Sequence, residues 1–423
     1  MSNPLKGSSL LMKLIDPLAP TKSDQYPFTA SPRSYIVLLL AGIAMTVISV
    51  AVGMSEAFLE QFYFSYLIGW VFCVSIALGC LFIVLIKHLV RSKWIVSLRR
   101  IPEASAASFP LLIILSIPVI IGLLDPHGPY HHWTTEGIAD PTSEHYDEIV
   151  SGKVAYLNIP FFLGRMAFYF IAWTFISSRL WRLSVLQDIT HDPHLSVRMR
   201  HLSAWGLPVA AITTAFAAFD FLMTLDPHWF STIFGVYFFA GAFLAAFCFT
   251  TLTIAGLQRA GMLKGVVTRE HYHDLGKLMF GFVVFWAYIG FSQYMLIWYG
   301  GIPEETAWFK YRLQNGWETH CGILLFGHFI IPFIILLPRA IKRFATPLAI
   351  IAVWLLVMQW FDIHWQAMPV LHKDQAQFHW LDLSCFVGLT SLLVGAFLWR
   401  FSRHAIVCEG DPKLEKSLRF ENV

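Results

Sequence analysis

The chain has 423 residues, of which 57% are apolar and 13% charged, and its mean hydropathy is +0.60, far from the composition of a soluble domain. Ten apolar segments of membrane-crossing length take up more than half of it, which excludes a sizeable soluble domain. The net charge of +3 is no nucleic-acid signature, because the cations belong to one rim of those segments.

Residues 1–33 carry Lys6, Lys13, Lys22 and Arg33 among prolines, without the short apolar core of a cleavable signal. They read as a cytoplasmic N-terminal arm, either gripping a neighbouring subunit or forming a disordered tail. Met12-Lys13-Leu14-Ile15 suits a short surface helix, which Pro17, Pro20, Pro27 and Pro32 keep from growing. The apolar segments then predict spans at 34–58, 63–87, 104–124, 156–180, 203–224, 230–257, 274–299, 317–338, 345–364 and 381–403, before a cytoplasmic tail at 404–423. Of the 30 Lys and Arg residues, 25 fall in alternate gaps, four in the others, and Arg165 lies within a segment. By the positive-inside rule this predicts ten spans, both termini in the cytoplasm and an inner-membrane location. Trp and Tyr gather near span ends, among them Trp94, Trp133, Trp229, Trp298 and Trp380, as an interfacial belt requires.

The longest exterior connection, 125–155, holds His127, His131, His132, Asp140, Glu144, His145, Asp147 and Glu148. Their spacing fits no recognised metal-ligand set, so the loop reads as a docking surface for an extrinsic partner. The six cysteines are scattered, mostly within apolar segments. No C-x-x-C or C-x-x-C-H occurs, so neither an iron–sulfur site nor covalent haem is encoded, and no metal or cofactor is expected on this chain.

An ionisable group in hydrocarbon costs about 2.5–3.5 kcal/mol even on the lenient insertion scale, so each one needs a reason. The set comprises Glu56, Arg165, Asp220, Glu318, His320, His328, Asp362, His364 and Asp382, with Asp226 and His228 at a span end. Helical spacing puts Asn158, Arg165 and Tyr169 on one face of span four, and Glu318, Cys321, Leu325 and His328 on one side of span eight. Such stripes should converge on a bundle interior. Arg165 needs an anion there, and Asp220 on the adjacent span is the expected partner, either as a structural ion pair or as part of a proton relay or quinone-headgroup site. His328, whose imidazole has an ordinary pKa of about 6.5, is either a core residue or a relay. No second axial histidine faces it, which disfavours haem b. Asp226/His228 and Asp362/His364 are expected to act as Asp–His pairs. Thr250 and Thr251 on span six, with Gln293 on span seven, are supporting polar positions that would carry water or bridge the halves of a path. Pro118, Pro160, Pro208 and Pro332 free backbone carbonyls inside spans. A faint repeat relates Phe219-Asp220-Phe221 to Trp360-Phe361-Asp362, four spans apart, which would set the two carboxylates at equal depth.

The stretch from Phe219-Asp220-Phe221-Leu222-Met223-Thr224-Leu225-Asp226-Pro227-His228-Trp229 to Tyr237 resembles the membrane subunits of alternative complex III, the bacterial quinol:cytochrome c (or electron-acceptor) oxidoreductase, in the polysulfide-reductase-type, NrfD-like family. The span count, the Arg99-Arg100-Ile101-Pro102-Glu103 segment and the loop after span three agree with it, and the length suits the smaller of two such subunits. The resemblance implies an all-α integral membrane fold of ten helices, with two four-helix bundles (spans 2–5 and 6–9) and two flanking helices. It implies no cofactor of its own, quinol as substrate of the complex, and haem c and iron–sulfur clusters in partner subunits. The implied partners are membrane lipid, a sister NrfD-like subunit, a periplasmic iron–sulfur subunit and haem c subunits, with a terminal oxidase as a further candidate. Supporting quinol oxidation and proton movement is the expected role. A quinol-binding subunit in its own right and a secondary transporter are the alternatives.

Overall fold

A computed structural model describes residue 23 and residues 25–422, and among these the regular structure is helical, with no strand. Nine helices of the described residues are long and apolar enough to cross a membrane, and a pair bent by 41°, Arg100–Ile114 with Ile117–Leu124, makes ten when counted as one broken span. The chain is an all-α, multi-pass membrane protein. The helix expected at Met12–Ile15 lies outside the described residues.

Spans one (Arg33–Gly53), two (Leu59–Leu89), four (Ile159–Thr190), five (His194–Phe221), six (Phe234–Arg259), seven (Arg269–Gly300), nine (Ala345–Leu371) and ten (Trp380–Phe401) are continuous. Spans four and five meet at a tight turn, closing the gap expected between 180 and 203. Both helices continue past their apolar stretches, because a helix satisfies its own backbone in water as well as in lipid. Caps mark several ends. Asn158 accepts from Phe161 N at the start of span four, Thr268 and His271 close a capping box on span seven, and Gly301 ends that span in the left-handed region at φ +63°.

Two crossings depart from a plain helix. Span three breaks after Ala106 and after Ile114, and Pro110 and Pro118 open the following helices, Phe109–Ile114 and Ile117–Leu124. Span eight runs as Trp317–Ile323, then a π-helical turn over Leu324–Ile330, then Ile331–Leu336. Pro332 supplies no N–H to the preceding turn, and the Trp354 indole donates to Gly327 O at 2.6 Å. This local widening is the usual remedy for a lost helix bond.

Span two is the hub, and its membrane-crossing stretch is buried along its whole length. Its first turn carries Glu60 and its last turn Lys87 and His88, matching the helix dipole. Spans two to five pack on one another, as do spans six to nine; the groups meet where span two lies against spans six and nine and span five against span six. Span ten packs between spans one and two. Helices approach closely where a side chain is missing: a Cβ on Gly79 would lie 2.1 Å from Ala242 O of span six.

Candidate functional site

The first group gathers the Asp220 carboxylate with Arg165. Arg165 donates from Nε to Oδ2 at 2.9 Å and from a terminal nitrogen to Oδ1 at 2.8 Å. Tyr169 and Tyr156 add hydroxyl donors at 2.8 and 2.9 Å. The guanidinium also reaches Tyr156 O at 2.9 Å and lies over the Tyr156 and Phe161 rings, 3.8 and 4.4 Å from their centroids. Asp220 is thus the partner of Arg165, and its two oxygens hold four donors, which is what a buried ion pair needs. Asn158, expected on this stripe, caps its own helix instead, because it is the residue before the first turn.

The second group takes one side chain from each of spans six to nine. Asp362 on span nine accepts from the Tyr237 hydroxyl at 2.5 Å and from Trp286 Nε1 at 3.2 Å. Trp286 is stacked on the His328 imidazole, 3.9 Å between centroids. Asp362 and His328 are buried, both His328 ring nitrogens lack a hydrogen-bond partner, and no cation pairs with Asp362 among the described residues. His328 faces inward because the π turn shifts the register of span eight. The expected stripe does not form: Leu325 is 51% exposed, and Glu318, ahead of the π turn, lies on the surface as a local cap accepting from Gly316 N.

In front of Tyr237 and Trp286 lies a crevice of about 470 Å³, walled by Tyr294, Phe309 and Trp365, with Gln293 on its side. Phe291 and Leu325, at 62% and 51% exposure, stand at its rim between spans seven and eight, so it is reached from lipid. Its walls are aromatic and its inner end is the Tyr237 phenol and the Trp286 indole, with the Asp362 carboxylate bonded behind them. Such a lining has the apolar walls and few polar groups that a flat, lipid-soluble ring can pack against.

The remaining candidates lie apart. His364 does not join Asp362, since residues two apart on a helix diverge. Its Nε2 points to Asp382 at 3.5 Å, and Asp382 also accepts from Ser65 and Gln61. His320 stacks on Phe361 and Phe378. His228 bonds Asp147 of the exterior loop at 2.6 Å and lies 3.9 Å from Asp226, so that pair is a surface tie rather than a base dyad. Thr250 bonds back to Ala246 O, and Thr251 reaches Met279 Sδ. Glu56 lies beyond the end of span one and is exposed.

Sequence reasoning overlooked Arg312. It is 1% exposed and donates to Trp308 O, Trp365 O and Gln366 O at 3.0, 3.3 and 2.5 Å, with its guanidinium over the Trp308 ring. Pro369 has no N–H for Trp365 O, and Arg312 fills that gap at the negative end of span nine. Burial pulls its pKa down to about 9, against the attraction of Asp226, so it stays cationic at neutral pH. The Pro369 spacing was the available signal.

On the basic face, Arg99 and Arg100 are buried rather than solvated. Arg99 pairs with Glu103 at 2.8 Å and Asp411 at 2.5 Å, while Arg100 pairs with Asp188 and Glu103. The C-terminal tail folds back onto them, with Val407 and Cys408 fully buried, and Ser417 donates to Trp94 O at 2.6 Å. Burial works to raise the Asp411 pKa, yet Arg99 and Lys87 hold it at about 2. No protein-family model matches this chain, and no curated protein sequence does either.

Proposed function

We propose that this chain is a membrane subunit of a respiratory quinol:electron-acceptor oxidoreductase of the alternative complex III kind, with Asp362 as its proton-exchanging group. It sits in a bacterial inner membrane with both termini in the cytoplasm, a placement supported by the 25 of 30 Lys and Arg residues in alternate gaps. One observation carries the reading. Asp362 is buried, held by a phenol and an indole, free of any pairing cation among the described residues, and set behind an aromatic crevice that opens to lipid. Asp220 is committed to Arg165, whereas Asp362 can change charge without stranding a buried guanidinium.

Each quinol oxidised releases two electrons and two protons. The electrons pass to iron–sulfur and haem c groups of partner subunits, and the protons need acceptors, of which Asp362 is one. A second reading places the quinol ring in this chain's own crevice. It is favoured by a volume of about 470 Å³ and by the polar Gln293 and Tyr237 among aromatic walls.

The test is Asp362→Asn in the assembled complex. Quinol oxidation is expected to fall by roughly 100-fold or more, the usual worth of a positioned acid or base, while haem-bearing partners still co-purify. Normal turnover with normal proton uptake would remove Asp362 from the reaction. Gly290→Leu separates the second reading, because a Cβ there lies 3.0 Å from Tyr237 and crowds the crevice. A raised KM is expected if the ring binds there, and an unchanged KM places it elsewhere.

A further inference from the structure

The proton chemistry leaves unused a group of side chains on the basic face. Span two ends at Lys87 and His88, Arg91 follows at φ +52°, span five contributes Arg200, and the folded-back tail contributes Asp411 and Lys413. Together they line a cavity of about 210 Å³. Its charge is unbalanced. Asp411 is the one carboxylate in the lining, and it is already engaged by Arg99 at 2.5 Å, Lys87 at 3.1 Å and Lys413 N at 2.9 Å. The Arg91 and Arg200 guanidinium groups have no hydrogen-bond or ion partner among the described residues. Among the described residues, Lys413 Nζ donates only to Arg91 O, at 3.0 Å. Burial, and then the cations Arg91, Lys93 and Arg200, lower the Lys413 pKa despite Asp411.

His88 supplies an independent observation. It is 4% exposed, it lines this cavity, and its Nε2 is buried without a hydrogen-bond partner. A buried imidazole nitrogen without a partner costs free energy until something polar meets it. Cations held this close repel one another until an anion joins them.

We propose that this cavity binds a phosphate group, with Arg91, Arg200 and Lys413 holding its oxygens and His88 Nε2 completing the contact. Guanidinium groups match phosphoryl oxygens in charge and in fork geometry. The cavity lies where spans two and five leave the apolar zone, the level of lipid headgroups. Its phosphate therefore comes from an anionic phospholipid or from a soluble phosphate.

The purified full chain in neutral detergent would be unfolded thermally with phosphatidylglycerol, with a diacylglycerol of the same acyl chains as the phosphate-free control, and with sodium phosphate against chloride at equal ionic strength. A ligand that binds the folded state raises the midpoint. Arg91→Gln/Arg200→Gln removes two unpartnered, mutually repelling side chains, so the unliganded midpoint should not fall, and each single variant checks this separately. Stabilisation by phosphatidylglycerol, weakened about thirtyfold in apparent affinity by the double variant, is the expected result, at roughly 1 kcal/mol per basic residue. The same pattern with inorganic phosphate alone assigns the site to a soluble phosphate. No stabilisation by either, stabilisation that the double variant keeps, or an equal response to diacylglycerol would overturn the proposal.

Discussion

Arg165→Met strands the Asp220 carboxylate in the first bundle. Two of its four donors vanish, those at 2.9 and 2.8 Å, while the Tyr156 and Tyr169 hydroxyls remain. Breaking a buried pair by removing one partner costs about 3–5 kcal/mol, so a loss of that size is expected. Asp220→Asn should cost a similar amount, since a guanidinium cannot escape by losing its proton. The double variant Arg165→Gln/Asp220→Asn keeps polar partners for both tyrosines and removes both charges. It should lie within about 2 kcal/mol of the wild type, giving a coupling energy of at least about 4 kcal/mol. Unfolding in mixed detergent–dodecyl sulfate micelles measures all four corners of the cycle. Additive single effects would refute the reasoning, because they would mean the two charges do not sustain each other.

Arg312→Met should destabilise the chain by at least about 3 kcal/mol, as three carbonyls lose a charged donor. Arg312→Lys should recover only part, since one ammonium cannot span them; full recovery in thermal unfolding would contradict this. Burial, aided by His131, Lys373 and His228, lowers the His132 pKa to about 4, so the folded loop binds fewer protons than the unfolded one between about 6.5 and that value. Protease protection of the 125–155 loop should therefore be full at neutral pH and fall as pH drops through that window, an effect that His132→Phe abolishes. Asp411 has the opposite charge logic, with a folded pKa held at about 2. Its contribution persists down to about pH 4 and is lost as pH falls further, so at pH 5 the tail stays docked while the loop loosens. Asp411→Asn should release the tail at neutral pH, read as faster tryptic cleavage at Lys413 and Lys416.

The crossings were legible because lipid demands long apolar helices and topology sorts cations, signals that need no knowledge of packing. The Arg165–Asp220 contact was legible for a related reason: a lone guanidinium in an apolar span must find an acid, and span five carried one beside it. Helical projection failed where the helix was not regular. Span eight is π-helical over 324–330, where His328 is buried and Leu325 is exposed. The Asp362/His364 pair did not form because adjacency along a helix is not adjacency in space, so the two serve different neighbours. Tyr237 and Trp286 passed unremarked as partners, since aromatic residues are common in membranes and only the fold shows which ones end at a carboxylate. Arg99 and Arg100 were taken for rim charges, and nothing local indicates that the tail covers them.

The central claim is that Asp362 gains and loses a proton as quinol is oxidised. Redox-difference infrared spectroscopy of the assembled complex tests it directly, with wild type compared against Asp362→Asn and Arg165→Gln/Asp220→Asn. A carboxyl C=O band that changes on quinol oxidation, shifts in D2O, disappears in Asp362→Asn and persists in the double variant is the predicted result. The same band surviving unchanged in Asp362→Asn would contradict it.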